Sequence, residues 1–205
     1  MKLIGQYDSP FVRRVAIAMR TLGFDYEHLP WSVFADAEKI APYNPLLRVP
    51  TLVLADGAAL GESHAILHYL EGASSRSLWP DGADELVLAL RLTGLATGAA
   101  DKAVSLVYEE LLHADPSPEW IARCEAQISA ALDQLDAAWT QSLGDLGHVD
   151  IAAACAWHFI TEAHAGRFEF GRWPRLGAHS ERCEAMPLFV EIAQPFRVNR
   201  PANAG

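Results

Sequence analysis

Ser9 is followed by Pro10 and an apolar-periodic run, so its hydroxyl falls at the amino end of a helix. Unpaired backbone N–H groups and the helix dipole favour an anion there, and a hydroxyl can donate a hydrogen bond to it. Serine before proline is equally the ordinary N-cap and first-turn pair, and spacing leaves both readings open. Tyr7, at the end of the preceding strand, offers a second hydroxyl, with sheet-end packing as its alternative. Glu62 and Ser63 open another helix, where a cap and a binding pair look alike. Arg48 is either a carboxylate clamp or an exposed strand-edge charge. Between these groups lies Val49-Pro50-Thr51-Leu52-Val53, a short β-branched strand entered through proline. X-Pro is the only peptide bond for which the cis form is cheap. A bend there turns the backbone N–H and C=O of Val49 outward, where they can pair with a ligand.

Other constellations carry less. His64, His68 and Glu71 have a spacing that gathers metal ligands on one helix face, but Ile66, Leu67 and Leu70 supply the buried face, leaving the histidines solvated without further ligands. We therefore expect no metal. His158 and Glu162, four apart, read as a buried pair. Cys124, Cys155 and Cys183 are scattered singly, which suggests reduced core thiols rather than disulfides or a thiolate metal site. No phosphate loop, His-Glu-x-x-His or Gly-x-Ser-x-Gly motif is present. A formal charge of −10 over 205 residues, with no basic run, argues against nucleic acid and anionic membranes. No segment has the ~18 uninterrupted apolar residues of a membrane span, and the amino terminus does not read as a signal peptide. The expectation is a soluble, cytoplasmic protein.

The elements that must position these residues follow from periodicity and punctuation. Lys2–Gln6 reads as a strand. A helix follows, with Phe11, Val12, Val15, Ala16, Met19 and Leu22 on one face and Gly23 at its end. Phe24–Leu29 reads as a second strand, and Ala35–Ala41 as a short irregular helix. Two strands then meet at Asp56-Gly57, and a helix runs from Ser63 to about Glu71. The order β-α-β-α-β-β-α predicts an α/β domain over residues 1–75. Gly72 to Ala83 shifts to Ser, Gly, Pro and Asp, which reads as a linker. Residues 84–205 carry only helical patterns, near 84–113, 119–142, 149–165, 175–184 and 187–194, and predict an all-α domain with a mobile tail of about ten residues. Gly94 and Gly98, four apart in the first long helix, suggest close helix contact.

Taken together, Ser9-Pro10-Phe11, Arg48-Val49-Pro50 and Glu62-Ser63-His64-Ala65-Ile66, in this order and ahead of an all-helical half, resemble the soluble glutathione S-transferase superfamily over nearly the whole chain. The Ser-Pro-Phe-x-x-Arg-Val string is closest to tau-type and related bacterial members. The resemblance implies a thioredoxin-like amino-terminal domain, a helical carboxy-terminal domain that helps form the electrophile pocket, and a homodimer. It implies that Ser9 hydrogen-bonds the glutathione sulfur and that Val49, before a cis Pro50, pairs by its backbone with the cysteinyl part. Glu62 and Ser63 would hold the γ-glutamyl end, and Arg48 would lie near the glycyl carboxylate. Asp101 matches an acidic residue that some bacterial members extend across the dimer, and Trp31 and Tyr108 are candidate pocket residues.

The chemistry implied is thiol activation. A free thiol has a pKa of about 8.5, and only its thiolate is a strong nucleophile. A hydroxyl, a helix amino end and excluded water stabilise S⁻, while an apolar pocket holds the electrophile beside it. Glutathione is then a co-substrate, no other cofactor is expected, and detoxification of small hydrophobic electrophiles is the implied role. The alternative is a non-catalytic glutathione-binding or regulatory protein of the same fold. Two departures from the family pattern stand out. Gly147 replaces the Ser or Thr expected three residues before Asp150. There is also no Ser-Ser-Cys run near residue 9, and the missing cysteine argues against isomerisation of the maleylacetoacetate type and against disulfide exchange.

Overall fold

The computed structural model describes residues 1–139 and 146–197 and divides into two compact units, one of Met1–Leu78 with the segment from Pro187 onward, the other of Trp79–Met186. In the first unit the strands β1 (Lys2–Ile4), β2 (Glu27–Leu29), β3 (Thr51–Val53) and β4 (Ala59–Gly61) form one mixed sheet in the order β2-β1-β3-β4. β1 and β2 are parallel, as a crossover helix between them requires. β3 runs antiparallel to both β1 and β4. The β3–β4 hairpin closes at Asp56-Gly57. There Gly57 takes φ +90° and the Asp56 carboxylate accepts the Ala58 N–H at 3.0 Å, so the turn residues themselves fix the register.

Helix α1 (Pro10–Thr21) lies between β1 and β2 in the chain. It ends where Gly23, at φ +84°, lets the Phe24 N–H reach the Met19 carbonyl and the Gly23 N–H reach that of Arg20. α2 is one turn only (Ala37–Ile40), and α3 spans Ser63–Ala73. Ile4, Ile40 and Val53 form a core on the α2 side of the sheet. Leu3 and Leu52, their neighbours in the strands, alternate to the opposite face and are fully buried.

Arg13 and Arg14, which fall outside the apolar face read from the sequence, are both buried, at 1% and 3% exposure. α1 packs against α3 and a short helix α8 (Pro187–Glu191), and every residue from Val12 to Met19 is buried. Arg13 donates from Nε to the Ile192 carbonyl at 2.8 Å and from Nη2 to that of Phe189 at 3.1 Å. This corrects the expected boundary, which placed all of 84–205 in the helical half. The segment from Pro187 packs on α1 because its apolar residues Phe189 and Ile192 are buried there and its carbonyls satisfy a buried guanidinium.

The second unit is helical: α4 (Ala83–Leu112), α5 (Pro118–Ala138), α6 (His148–Ala163), a 3₁₀ turn (Phe170–Arg172) and α7 (Pro174–Glu184). α4 packs on α5 and α6, and α6 on α7, so α6 is buried along most of its length. At its start the Asp150 carboxylate accepts the Gly147 N–H at 2.9 Å. Glycine cannot return the reciprocal bond, so half of the capping box survives the replacement. Gly94 and Gly98 do not mediate close helix contact. A Cβ at either position would meet nothing within 4 Å, because the buried face of α4 runs instead through Leu92, Thr93, Ala96 and Ala100. The sequence reading extends α5 to Ser142, but α5 ends at Ala138, and residues 140–142 and most of the expected tail lie outside the described residues. Among the described residues no helix is long and apolar enough to cross a membrane, and no three His, Cys, Asp or Glu side chains form a group that could hold a metal ion.

Candidate functional site

Ser9 is the N-cap of α1 with extended backbone, and its Oγ accepts the Val12 N–H at 3.4 Å. The cap uses a lone pair only, so the hydroxyl proton remains able to donate, and the two readings of this residue are compatible. The Val49–Pro50 bond is cis. No hydrogen bond among the described residues occupies the N–H or C=O of Val49.

Gly5 joins these two features. At φ +130° it lies against the first turn of α1 and the Val49 side chain, where an added Cβ would fall 2.5 Å from Val12 Cγ2 and 2.8 Å from Val49 Cβ. Only glycine allows the end of β1, the start of α1 and the loop before β3 to come this close. The loop itself is held by Asn44, which is buried and donates from Nδ2 to the Arg48 carbonyl and to Thr51 Oγ1, each at 3.0 Å. Thr51 Oγ1 donates in turn to the Arg48 carbonyl at 2.9 Å.

Glu62 is at φ +65°, ψ 128°, a conformation that costs a non-glycine residue of order 1–3 kcal/mol. It turns the chain sharply from β4 into α3, and no side chain caps the helix. Ser63 is therefore not the N-cap that its position suggested. It lies in the first turn, buried, and its Oγ accepts from Arg14 Nη1 at 3.3 Å. Arg14 thus ties the start of α3 to α1. The Glu62 carboxylate pairs with Arg48 Nη1 at 2.9 Å, with both side chains more than half exposed. A pair this exposed is worth about 0–1 kcal/mol and opens easily for a ligand.

Tyr7 is placed differently from Ser9. Its ring stacks on His28 of β2 at 3.8 Å, and its hydroxyl meets that of Tyr26 at 2.8 Å, so it is held at the sheet edge opposite β4. Burial raises its pKa, which further disfavours a phenolate. Burial also raises the Asp8 carboxyl, against the lowering effect of backbone hydrogen bonds from Arg197 and Ser9. Trp31 packs against the Ile4–Ile40–Val53 core beside Tyr43. Asp101, paired with Lys102 at 3.0 Å, and Tyr108 both lie on α4 in the second unit. A groove of about 220 Å³ in that unit, lined by Glu125, Arg167 and Trp173 among others, contains none of the expected site residues.

Family models for the glutathione S-transferase N-terminal domain and C-terminal domain match residues 3–77 and 118–182. The chain belongs to the glutathione S-transferase superfamily. An uncharacterized GST-like protein of Escherichia coli, YibF, is 29% identical over 161 residues, covering 76% of this chain and 80% of the relative. A glutathione S-transferase from Methylobacterium radiotolerans, solved in complex with glutathione sulfonate, superposes with a TM-score of 0.89 at 27% identity over 97% of this chain and 96% of that one. A glutathione transferase family member from Pseudomonas fluorescens with bound glutathione gives 0.85 at 26% identity, over 95% and 99%. The transferase fold thus places Ser9, Val49, Glu62 and Ser63 around junctions fixed by Gly5, Asn44 and Arg14. Those three were missed in the sequence. Asn44, before Pro45, sits where a helix would stop, and Arg14 falls outside the apolar face of its helix.

Proposed function

We propose that this protein is a glutathione transferase that uses Ser9 to activate the glutathione thiol for attack on small hydrophobic electrophiles. The observation that carries this reading is the unpaired Val49 backbone beside a helix start whose serine keeps a proton to donate. Val49 pairs with the cysteinyl unit as one more strand would, which sets the sulfur near the Ser9 hydroxyl and the amino end of α1. The hydroxyl and the helix dipole stabilise the thiolate more than the thiol, lowering its pKa. The γ-glutamyl carboxylate takes the open first-turn amides of α3 and the Ser63 hydroxyl, while Glu62 receives the ammonium. Arg48, released from Glu62, lies toward the glycyl carboxylate. The thiol proton passes to solvent, and the thiolate then forms a bond to carbon of the electrophile as a leaving group departs with its electron pair, or as a π pair shifts onto the acceptor and takes a proton from water; Ser9 Oγ keeps its cap bond throughout.

The helical unit supplies the electrophile pocket in this reading, with Tyr108 as its contribution from α4, while Asp101 on the same helix extends across the dimer. The protein is a homodimer of the cytoplasm, where its three buried free cysteines stay reduced, and its role is detoxification. Retention on immobilised glutathione, conjugation of a chlorinated dinitrobenzene and a dimeric mass by light scattering are the expected results. Failure to bind glutathione refutes the reading. Binding without turnover over a panel of electrophiles transfers it to the non-catalytic class, and a monomeric mass removes the dimer.

A further inference from the structure

Ser9 is carried by a short turn, in which its N–H bonds the Gln6 carbonyl at 3.2 Å, between the end of β1 and the start of α1. The Tyr7 side chain ties the turn to His28 of β2 and to Tyr26, and the turn's backbone is tied to the segment that follows Pro187. The Tyr7 N–H donates to Gln194 Oε1 at 3.0 Å, across 187 residues, and the neighbouring Asp8 carboxylate accepts a backbone hydrogen bond from Arg197.

The segment carrying Gln194 is itself anchored. Phe189 and Ile192 are buried against α1, and both of their carbonyls are taken by Arg13, whose guanidinium stacks over the Phe189 ring at 5.6 Å. Arg20 pairs with Glu191 at 3.3 Å. The Gln194 amide oxygen is thus presented from a fixed platform to the one backbone donor two residues before the serine.

We propose that Gln194 is a positioning residue for the Ser9 turn, setting the direction of the serine hydroxyl toward the glutathione sulfur. This rests on the function proposed above. Hydroxyl direction matters because a donor displaced by about half an ångström loses much of its preference for the charged sulfur.

The test is Gln194→Leu, with Gln194→Ala as a second variant, in the full chain. Because Phe189, Ile192 and Arg13 are untouched, the segment stays docked. The ionisation of the bound glutathione thiol, followed by thiolate absorbance against pH, is expected to shift upward by about half a unit to one unit, the worth of one ordinary hydrogen bond. Below neutrality kcat falls about 3- to 10-fold, KM for glutathione stays within about 2-fold, and the Tyr7 amide exchanges faster with solvent. An unchanged thiol titration in both variants overturns the proposal, as does a loss of stability and glutathione affinity with the titration intact, which is the mark of a purely structural contact. A wild-type protein that holds no glutathione thiolate overturns the proposed function and this inference with it, a result distinct from either of the others.

Discussion

Replacing Ser9 separates capping from chemistry, because the two roles use different parts of one hydroxyl. The cap bond to the Val12 N–H is long, 3.4 Å, so its loss in Ser9→Ala costs stability at the low end of the usual 0.5–2 kcal/mol range. A hydrogen bond to an anion is worth about 1.5–3 kcal/mol. Losing it raises the bound thiol pKa by about one to two units and lowers kcat/KM about 10- to 100-fold below the new pKa. Ser9→Gly provides the control, since glycine as an N-cap costs only a few tenths of a kcal/mol. The alanine variant is expected to lose both stability and activity, and the glycine variant to lose activity alone. Urea unfolding, thiolate titration and conjugation rates across pH measure all three quantities. Full activity with an unshifted titration in both variants would show that another group activates the sulfur. Tyr7 would be tested next, although its hydroxyl is committed to Tyr26.

Gly5→Ala is expected to destabilise the first unit by on the order of 3 kcal/mol or more, through positive-φ strain and a Cβ 2.5 Å from Val12 and 2.8 Å from Val49. Equilibrium unfolding that matches wild type would disprove the close approach at this junction. The second unit is expected to lose stability in mild acid. His179 is fully buried, its Nδ1 has no hydrogen-bond partner among the described residues, and burial lowers its pKa to about 4. Its contribution is therefore complete above the unfolded pKa of about 6.5 and is lost as pH falls toward 4, by about 2 kcal/mol at pH 5. Asp150, whose carboxyl is raised by burial, acts with the opposite sign: its contribution is present in acid and is lost as pH rises through its folded pKa. His179→Leu is expected to flatten the fall between pH 6.5 and 4, and an unaltered slope in denaturant titrations at these pH values would rule out His179 as its source.

What could be read from the sequence was local. Ser9-Pro10 opens α1, Gly23 ends it, Asp56-Gly57 closes the hairpin, and Pro50 begins the strand that leaves Val49 unpaired. Each of these is settled by dihedral preference or by a hydrogen bond spanning a few residues, and their order suffices to indicate the glutathione S-transferase fold. The tertiary structure decided which long-range surfaces meet. Arg13 and Arg14 fall outside the apolar set of their helix, yet they are buried because Ser63 and the segment after Pro187 bring them acceptors from 49 to 179 residues away. Tyr7, a rival hydroxyl to Ser9 in the sequence, has its ring on His28 and its hydroxyl on that of Tyr26, at the edge of the sheet opposite β4. Gly94 and Gly98 have the spacing of a helix contact and lie in open space. Periodicity tells which face of an element is apolar, but a buried polar side chain is stable only where a distant partner satisfies it, and that partner is supplied by the packing of the whole unit.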